Sequence, residues 1–293
     1  MSTKLGALYA ECRQRLRSAL SSQSLATPDL DARLLLCHAL DLSSYAPVTN
    51  PDQMIDDQGC ALVHDLIERR AFGVPVARIL GYREFWGLRF DLNDDTLIPR
   101  PETEGVVETV LEWVRGQGRV DQPFNIVDIG TGSGAILTSL LTELPNAIGI
   151  GSDISQDALN MAMQNAERHG VQGRFKCVIS NYGSILDGTY DVIVSNPPYV
   201  RDNDLKNLGD GVREHDPALA LFGGEDGLDA YRALLPWCYQ SLREDGICVF
   251  EHGFDQQDEV MALAKETGFE DVQPIFDLSD VPRIVKMRKN SQK

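Results

Sequence analysis

Residues 124–134 read FNIVDIGTGSG, and this stretch decides the fold. Its first six residues are mostly apolar and predict a buried strand, and residues 134–144 predict the helix that follows. Between them, the glycines allow the backbone to turn tightly, to approach a ligand and to pack the helix against the strand. A strand, a glycine loop and a helix in this order indicate a parallel sheet with a ligand site at its carboxyl edge.

Strand and helix patterns alternate from this stretch onward. Further strands are predicted at residues 147–153, 175–179, 190–195, 247–251, 272–276 and 283–288, and further helices at 157–169, 228–242 and 256–267. Residues 200–226 are predicted to form a long polar loop. Such alternation is typical of α/β proteins in which helices cross over a parallel sheet. The seven predicted strands therefore indicate a Rossmann-like sheet.

The first part of the chain has a different pattern. Residues 1–75 carry apolar side chains at spacings of three and four, as in Leu5, Leu8, Cys12 and Leu16, and this predicts a small helical domain. Residues 76–98 change to a strand-like period around Gly87 and predict a β-hairpin linker. The sequence thus predicts a helical domain at 1–75, a linker at 76–98 and the α/β domain at 99–293.

The composition excludes several classes of protein. A formal net charge of −17 argues against a surface that binds duplex nucleic acid, which needs clustered Lys and Arg. No targeting segment and no apolar run of bilayer length is recognisable, so no membrane association is expected. The six cysteines are scattered without a C-x-x-C pair, and the histidines lack ligand spacing. We therefore expect a cytoplasmic protein without a metal site.

Residues 195–199 read SNPPY and directly follow the fourth predicted strand. Two consecutive prolines cannot donate ladder hydrogen bonds, so the strand ends there in a stiff, extended turn. The turn holds the Asn196 carboxamide and the neighbouring carbonyl oxygens as acceptors at the carboxyl end of the strand. This geometry suits a flat NH2-bearing group, such as an amide or an exocyclic amine. By itself, it is equally compatible with a loop that the prolines merely terminate.

Two acidic residues accompany the glycine loop: Asp128 stands just before it, and Asp153 ends the second strand. Asp153 is placed to accept hydrogen bonds from ribose hydroxyls. Because the loop also matches the dinucleotide pattern G-x-G-x-x-A, a nicotinamide oxidoreductase is an alternative at this point. However, a carboxylate at Asp128 would meet an ammonium and repel a pyrophosphate, and no His or Lys is positioned for hydride transfer. A ligand that carries an ammonium, a ribose and an adenine would fit these residues, and S-adenosylmethionine is such a ligand.

At this point the chain resembles a known family, the peptide chain release factor glutamine methyltransferases (PrmC, also called HemK). The resemblance covers nearly the whole chain and is carried by residues 83–88, 97–104, 127–135, 193–200, 223–229 and 251–253, with Asp277, Leu278 and Arg283. The Asn-Pro-Pro-Tyr turn alone would also suit adenine methyltransferases that act on DNA. Its combination with PRPETE at residues 99–104 is far more specific, and it also argues against the sister group that methylates a ribosomal-protein glutamine.

This resemblance implies a seven-stranded, S-adenosylmethionine-dependent methyltransferase domain and assigns its site residues. The implied cofactor-binding residues are Asp128, Gly130, Thr131, Gly132, Ser133, Gly134, Asp153, Asn181, Tyr182 and Asn196. The implied catalytic residues are Asn196, Pro197 and Tyr199, and Pro198 and Arg100 join them in substrate binding. One departure concerns Asn181, since the family usually has an aspartate there. Without that charge, we expect somewhat weaker cofactor binding.

The implied reaction is methyl transfer from S-adenosylmethionine to the amide nitrogen (N5) of the glutamine in the Gly-Gly-Gln motif of class 1 release factors. The Asn196 side-chain oxygen and the Pro197 carbonyl would accept the two N–H bonds of the amide, and Tyr199 would pack against its plane. The helical domain would recognise the release factor, although a packing cap is the alternative. A ribosomal-protein glutamine methyltransferase, a DNA adenine methyltransferase and a binding protein without turnover are the alternative functions.

Overall fold

The computed structural model describes residues 2–21, 27–182, 187–207 and 210–289. The chain forms two compact units. One comprises Met1–Tyr82 together with Gly209–His215, and the other comprises Arg83–Leu208 together with Asp216–Lys293. Within the described residues, no helix is both long enough and apolar enough to cross a bilayer. The three-part division expected from the sequence stays a prediction.

The amino-terminal unit is mainly helical. Its elements are β1 (Thr3–Lys4), α1 (Leu5–Ala19), α2 (Pro28–Ala39), α3 (Ala46–Thr49), β2 (Met54–Ile55), α4 (Asp57–Ala71) and α5 (Val76–Leu80). The apolar residues of α1 that recur at spacings of three and four are buried, together with apolar residues of α2 and α4. The predicted helical character of this part of the chain is therefore confirmed, with α1, α2 and α4 as its longest helices. Asp56 begins α4 by accepting a hydrogen bond from the Gly59 N–H at 2.7 Å.

The prediction of a strand-like period throughout residues 76–98 is wrong at its start, because Val76–Leu80 form helix α5. Pro75 precedes the helix, and Gly81 ends it in the left-handed conformation with φ 76°. The hairpin itself consists of β3 (Tyr82–Phe85) and β4 (Leu88–Asp91). Its two-residue turn is Trp86-Gly87, with φ 54° and 68°. Trp86 is held in this unusual backbone conformation by donating its N–H to Glu104 Oε1 at 2.8 Å.

The second unit contains the α/β domain. Its helices are α6 (Glu104–Gly116), α7 (Ala135–Glu143), α8 (Gln156–Arg168), α10 (Ala218–Leu221), α11 (Asp229–Ser241) and α12 (Gln257–Thr267). Its strands are β5 (Asn125–Ile129), β6 (Ile148–Asp153), β7 (Phe175–Ile179), β8 (Tyr190–Ser195), β9 (Leu242–Glu251), β10 (Asp271–Phe276) and β11 (Pro282–Arg288). The short helix α9 (Asp210–Arg213) belongs to the amino-terminal unit. Single-turn 3₁₀ helices lie at Pro101–Thr103 and Leu205–Asn207.

The seven strands β5 to β11 form one sheet in the order β10-β11-β9-β8-β5-β6-β7. Strands β5 to β9 are mutually parallel, and β11 pairs antiparallel with both β9 and β10. Apolar residues of α6, α7 and α8 are buried against one face of the sheet, and those of α11 and α12 against the other. The predicted α/β, Rossmann-like, seven-stranded fold is confirmed. The chain order reverses between β5 and β8, where open parallel sheets bind ligands.

Two predictions about loops and strand length need correction. Strand β9 begins at Leu242, five residues before its predicted start, and Leu242 pairs with Tyr190 of β8 across an irregularity. The exposed, polar residues 243–245 hid this extension in the sequence. The predicted polar loop 200–226 contains α9, α10 and a bridge between Val200 and Phe222. These short elements lack the period of a long helix or strand, which is why the pattern did not reveal them.

Asn165 of α8 ties three segments together around the glycine loop. Its side chain is fully buried. Its Oδ1 accepts the Asp91 N–H at 2.8 Å, and its Nδ2 donates to the Asp91 carbonyl at 3.0 Å and to the Ser133 carbonyl at 2.9 Å. The carboxamide therefore fixes the end of β4 and the glycine loop relative to α8.

We expect Asn165→Ala to lower the free energy of unfolding by roughly 2–4 kcal/mol, because it leaves buried backbone groups without partners. Urea unfolding followed by circular dichroism would measure this. Asn160→Ala is the matched control, since Asn160 lies on the exposed face of the same helix. Equal stability of the two variants would contradict the assigned role of Asn165.

Candidate active site at the carboxyl edge of the sheet

A cavity of about 210 Å³ opens where the chain order of the sheet reverses. Its wall includes the loop after β5, the carboxyl end of β6, the residues after β7 and the turn after β8. The sequence-predicted residues on this wall are Gly130, Thr131, Gly132, Ser133, Asp153, Asn181, Tyr182, Asn196, Pro197 and Pro198. The structure thus brings together residues from four separate stretches of sequence, as parallel strands with a common edge require.

The glycine loop presents backbone to the cavity. Gly130 and Gly132 have φ 71° and 53°, a conformation that L side chains rarely adopt. A Cβ at either position would meet no atom within 4 Å, so the space beside the loop is open to a ligand. Gly134 is constrained differently, because a Cβ there would lie 3.1 Å from the Ala162 Cβ of α8. It allows close packing behind the cavity and does not line its wall.

Asp128 lies beneath the glycine loop and not on the cavity wall. Its carboxyl is fully buried, with Oδ2 accepting the Thr131 hydroxyl at 2.7 Å. Its Oδ1 is buried and has no partner at hydrogen-bonding geometry among the residues that the structure describes, although the Leu137 backbone N–H at the start of α7 acts to lower the Asp128 pKa. Burial raises the pKa of Asp128 to about 7. An orphaned buried acceptor behind the loop fits a site that receives an ammonium from the cavity side, and direct contact stays a prediction.

Asp153 stands at the carboxyl end of β6 and lines the cavity. Its Oδ2 accepts the Gly132 N–H at 2.9 Å, and its Oδ1 accepts the Ser155 N–H at 3.0 Å. Burial raises its pKa, and these backbone donors act in the opposite direction. Because each carboxylate oxygen has a second lone pair, Asp153 can still accept hydroxyl groups of a ligand.

Residues 180–182 form a further part of the wall. Asn181 is exposed, and Tyr182 is half-buried with φ 51°. The Ser180 hydroxyl is buried and has no hydrogen-bond partner among the described residues. These groups offer an amide, a ring and a hydroxyl to a flat ligand bound beside Asp153.

The turn after β8 carries Asn196, whose side chain is half-buried. Its Nδ2 donates to Thr103 Oγ1 at 3.1 Å, and Thr103 Oγ1 donates to Glu251 Oε2 at 2.6 Å. In the described part of the chain, neither Asn196 Oδ1 nor the Pro197 carbonyl accepts a hydrogen bond. The turn therefore leaves these two oxygens with capacity to accept hydrogen bonds, and their use by a substrate stays a prediction.

Residues 223–227 support this turn from behind. A Cβ on Gly223 would lie 2.8 Å from Tyr199 Cα and 2.9 Å from the Pro198 carbonyl oxygen, so only glycine fits there. Gln256 Nε2 donates to the carbonyls of Tyr199 and Gly227 at 3.1 and 3.3 Å. The glycine-rich segment noted in the sequence is therefore a close-packed support for the Asn-Pro-Pro-Tyr turn.

Besides Asp128 and Gly134, two further predicted site residues, Tyr199 and Arg100, lie off the cavity wall. The Tyr199 hydroxyl donates to Glu251 Oε1 at 3.2 Å, and its ring packs in the core below the turn. Burial, followed by the charge of Glu251, raises the pKa of Tyr199 far above its usual range. Arg100 pairs with the buried Asp216 at 2.6 Å. Stacking of Tyr199 on a substrate amide and substrate contact by Arg100 are not shown by these positions and stay predictions.

The sequence did not identify several residues of the wall. They are Asp95, Leu97, Pro99, Thr103, Ile129, Ala135, Ile136, Ile154, Ser155, Ser180, Ser195, Pro217, Leu219 and Ala220. Most of these are apolar residues beside the recognised motifs, and they had no chemical pattern of their own. Leu219 and Ala220 belong to the short helix α10, which directly follows Pro217 and which was predicted to be loop.

The sequence matches known families along most of its length. Residues 11–81 match the family described as PrmC N-terminal domain, and residues 119–210 match the methyltransferase small domain. A release factor glutamine methyltransferase of Bradyrhizobium diazoefficiens is 44% identical over 285 residues, which are 97% of this chain and 96% of that protein. A protein of the same name from Agrobacterium fabrum is 41% identical, over 93% of this chain and 94% of its own length.

Solved structures share the fold at low sequence identity. A methyltransferase from Pyrococcus furiosus has a TM-score of 0.51 at 18% identity, over 76% of this chain and 98% of its own. The hMettl16 catalytic domain, in complex with the MAT2A 3'UTR hairpin 6, has a TM-score of 0.55 at 19% identity, over 78% of this chain and 83% of its own. At such identities, the likeness shows the methyltransferase fold alone.

The buried carboxyl of Asp128 predicts a pH-dependent stability. Because its pKa is raised in the folded state, its protonation stabilises the fold fully below pH about 4, and this contribution is lost as the pH rises through about 7. We expect Asp128→Asn to be more stable than the parent chain at pH 8 by at most roughly 3–4 kcal/mol. At pH 5 the difference should be much smaller.

Urea unfolding at pH 5 and at pH 8 measures this difference. Asp121→Asn, at an exposed position, is the matched control for the loss of one carboxyl. A stability difference between Asp128→Asn and the parent chain that is the same at both pH values would contradict the burial argument.

Proposed function

The chain belongs to the release factor glutamine methyltransferase family, and from this premise we propose that it methylates a glutamine side chain of a peptide chain release factor. The observation that carries the proposal is the Asn196-Pro197 acceptor pair on the wall of the cavity beside the glycine loop. The finer proposal is that the target is the amide nitrogen (N5) of the Gly-Gly-Gln glutamine of class 1 release factors.

The residues of the cavity fit S-adenosylmethionine, which when bound supplies the methyl group and leaves as S-adenosylhomocysteine. Open space at Gly130 and Gly132 admits the ligand close to the backbone, and the orphaned Asp128 Oδ1 suits an ammonium. Asp153 would accept hydrogen bonds from the ribose hydroxyls, and Asn181 and Tyr182 would hold the adenine. Thr131, Ser133 and Gly134 shape the loop. No metal is part of this proposal.

On the substrate side, the chain acts by positioning. An amide nitrogen is a poor nucleophile because its lone pair is delocalised, and Asn196 is not a base. Asn196 Oδ1 and the Pro197 carbonyl accept the two N–H bonds and aim the nitrogen at the methyl group. Alignment of this kind can supply about 7–11 kcal/mol in favourable intramolecular systems. Pro198 stiffens the turn. Tyr199 is proposed to pack against the plane of the substrate amide, and Arg100 is proposed to take part in substrate binding.

The substrate is a protein, and the amino-terminal unit is proposed to recognise it. Support comes from residues 11–81, which match a domain named for this family. Exposed apolar side chains on the unit, such as Tyr45, Val48 and Phe72, are 70%, 72% and 82% accessible. No contact with nucleic acid or with a membrane is part of the proposal, and the proposed location is the cytoplasm.

Two other substrates are distinguishable by one assay. Incubation with labelled S-adenosylmethionine and, separately, a release factor, a ribosomal protein or DNA should label the release factor alone. Label in the ribosomal protein alone would favour the sister group, and label in adenine would favour the nucleic-acid enzymes. The net charge of −17 already argues against the latter.

We expect Asn196→Ala to lower kcat on a release factor by about 10²–10³-fold, because one of the two acceptors that orient the amide is lost. Cofactor affinity, measured by calorimetry, should change far less. Asn146→Ala, at an exposed position away from the cavity, is the control. Near-normal turnover by Asn196→Ala would contradict the positioning role.

A variant with Tyr45, Val48 and Phe72 all changed to serine tests recognition by the amino-terminal unit. We expect a higher KM for the intact release factor, because exposed apolar side chains that are proposed to contact it are removed. Activity on a short Gly-Gly-Gln peptide should be unchanged, since the peptide lacks the rest of the release factor, which the amino-terminal unit is proposed to bind. Equal KM values for the release factor before and after substitution would argue against recognition of the release factor by these side chains.

A further inference from the structure

We propose that Thr103 and Glu251 are positioning residues that lock the orientation of the Asn196 carboxamide, and so make the site select an amide over a carboxylate. The proposal rests on the proposed function and deepens it. It is carried by the hydrogen-bonded chain from Asn196 Nδ2 to Thr103 Oγ1 and from Thr103 Oγ1 to Glu251 Oε2.

The direction of each hydrogen bond in this chain follows from the number of protons available. An ionised carboxylate has no proton, so Glu251 can only accept. Thr103 has one hydroxyl proton, which it donates to Glu251 Oε2 at 2.6 Å. Its oxygen can then only accept from Asn196, and the NH2 group is the only donor of that side chain. The carbonyl Oδ1 of Asn196 is consequently turned away from Thr103 and is free to accept from a substrate.

The surroundings hold Glu251 firmly in this role. Its carboxyl is almost completely buried at the end of β9. Tyr199 donates to its other oxygen at 3.2 Å, and the Tyr231 hydroxyl donates to its backbone carbonyl at 2.8 Å. With donors on both carboxylate oxygens, the side chain has one stable position. Because Glu251 is fixed, its hydrogen bond holds the Thr103 hydroxyl in place, and Thr103 in turn holds the Asn196 NH2 group.

The consequence for specificity concerns the substrate's own protons. A glutamine amide has two N–H groups, which match Asn196 Oδ1 and the Pro197 carbonyl. A glutamate carboxylate has none, so it would face two acceptors and be repelled. If the Asn196 carboxamide could rotate so that its oxygen and NH2 group exchanged places, the NH2 group would face the substrate instead. This orientation would favour binding of the carboxylate. The lock therefore determines which of two isosteric side chains binds.

Thr103→Val removes the hydroxyl and keeps the shape of the side chain. We expect its kcat on the release factor to fall about 10–100-fold, because the acceptor is no longer held in place. Thr103→Ser should restore most of the activity, since it restores the hydroxyl. Thr109→Val is the matched control, because it removes a buried threonine hydroxyl that donates to the Gly105 carbonyl within α6.

A second measurement separates orientation from general damage to the site. A release factor with glutamate in place of its target glutamine serves as a competitive inhibitor. Thr103→Val should bind this inhibitor at least about threefold more tightly than the parent chain, while its kcat on the glutamine form falls. A merely structural defect would weaken both interactions.

The pH dependence of kcat at saturating cofactor gives a third measurement. Burial raises the pKa of Glu251 to about 7. The groups that face it are Thr103, Tyr199, Tyr231, Glu102 and Arg283, with His252 next in the chain. A proton on Oε2 would donate to Thr103 and allow its hydroxyl to bond Asn196 Oδ1, reversing the lock. The parent chain should therefore lose activity below pH about 7.

Glu251→Gln provides the variant that does not depend on Thr103. Its amide can donate to Thr103 at any pH, so we expect low kcat without the acidic limb. If the parent chain methylates a release factor but Thr103→Val matches it in kcat and in inhibitor affinity, the lock is overturned. If the parent chain itself methylates no release factor, the proposed function fails instead.

Discussion

The parallel pairing of β5 with β8 is the constraint on which the site depends. Ile129 pairs with Ser195, and the Ser195 hydroxyl donates to the Ile129 carbonyl at 2.7 Å, so both strands end at the same level. The next segments, the glycine loop and the Asn-Pro-Pro-Tyr turn, must leave the sheet side by side, about 5 Å apart. Because β6 continues to one side and β9 to the other, the space above this pair stays open. The cavity follows from the strand order before any side chain is considered.

The cavity has a buried carboxyl group on each side, that of Asp128 and that of Glu251. Both groups are ionisable, whereas most core residues are apolar. Asp128 sits under the glycine loop and Glu251 under the turn, each with a pKa raised to about 7 by burial. Such groups destabilise a fold unless their hydrogen bonds are satisfied. Glu251 has a donor on each oxygen, whereas Asp128 keeps one oxygen without a partner in the described residues. The difference agrees with their proposed roles, because Glu251 acts through other residues and Asp128 is left with capacity for a ligand.

The features that the sequence predicted correctly are those that depend on residues close together in the chain. The strands Phe175–Ile179 and Tyr190–Ser195 were predicted to the residue, because apolar runs end there at turn residues. The glycine loop and Asn196 were predicted as site residues from their own chemistry and neighbours. The link between Thr103 and Glu251 joins residues 148 positions apart, and no period or motif announces such a contact. The early start of β9 was hidden for a similar reason, since its pairing with Tyr190 overrides the polar residues that follow Leu242.

The hexapeptide at residues 99–104 shows how a sequence motif can act without touching the reacting atoms. Arg100 pairs with Asp216, Thr103 bonds Glu251, and Glu104 accepts from the Trp86 N–H of the hairpin. Each of these interactions reaches a different segment, and Thr103 also accepts the hydrogen bond from Asn196. Substituting Thr103 would remove a hydrogen-bond donor from the buried Glu251 carboxylate, which costs more than the bond itself contributes. Of these residues, Thr103 contacts the acceptor pair itself, through its hydrogen bond with Asn196. In the proposed lock, the choice between an amide and a carboxylate therefore depends on Thr103 and Glu251, which lie two and three hydrogen bonds away from the substrate.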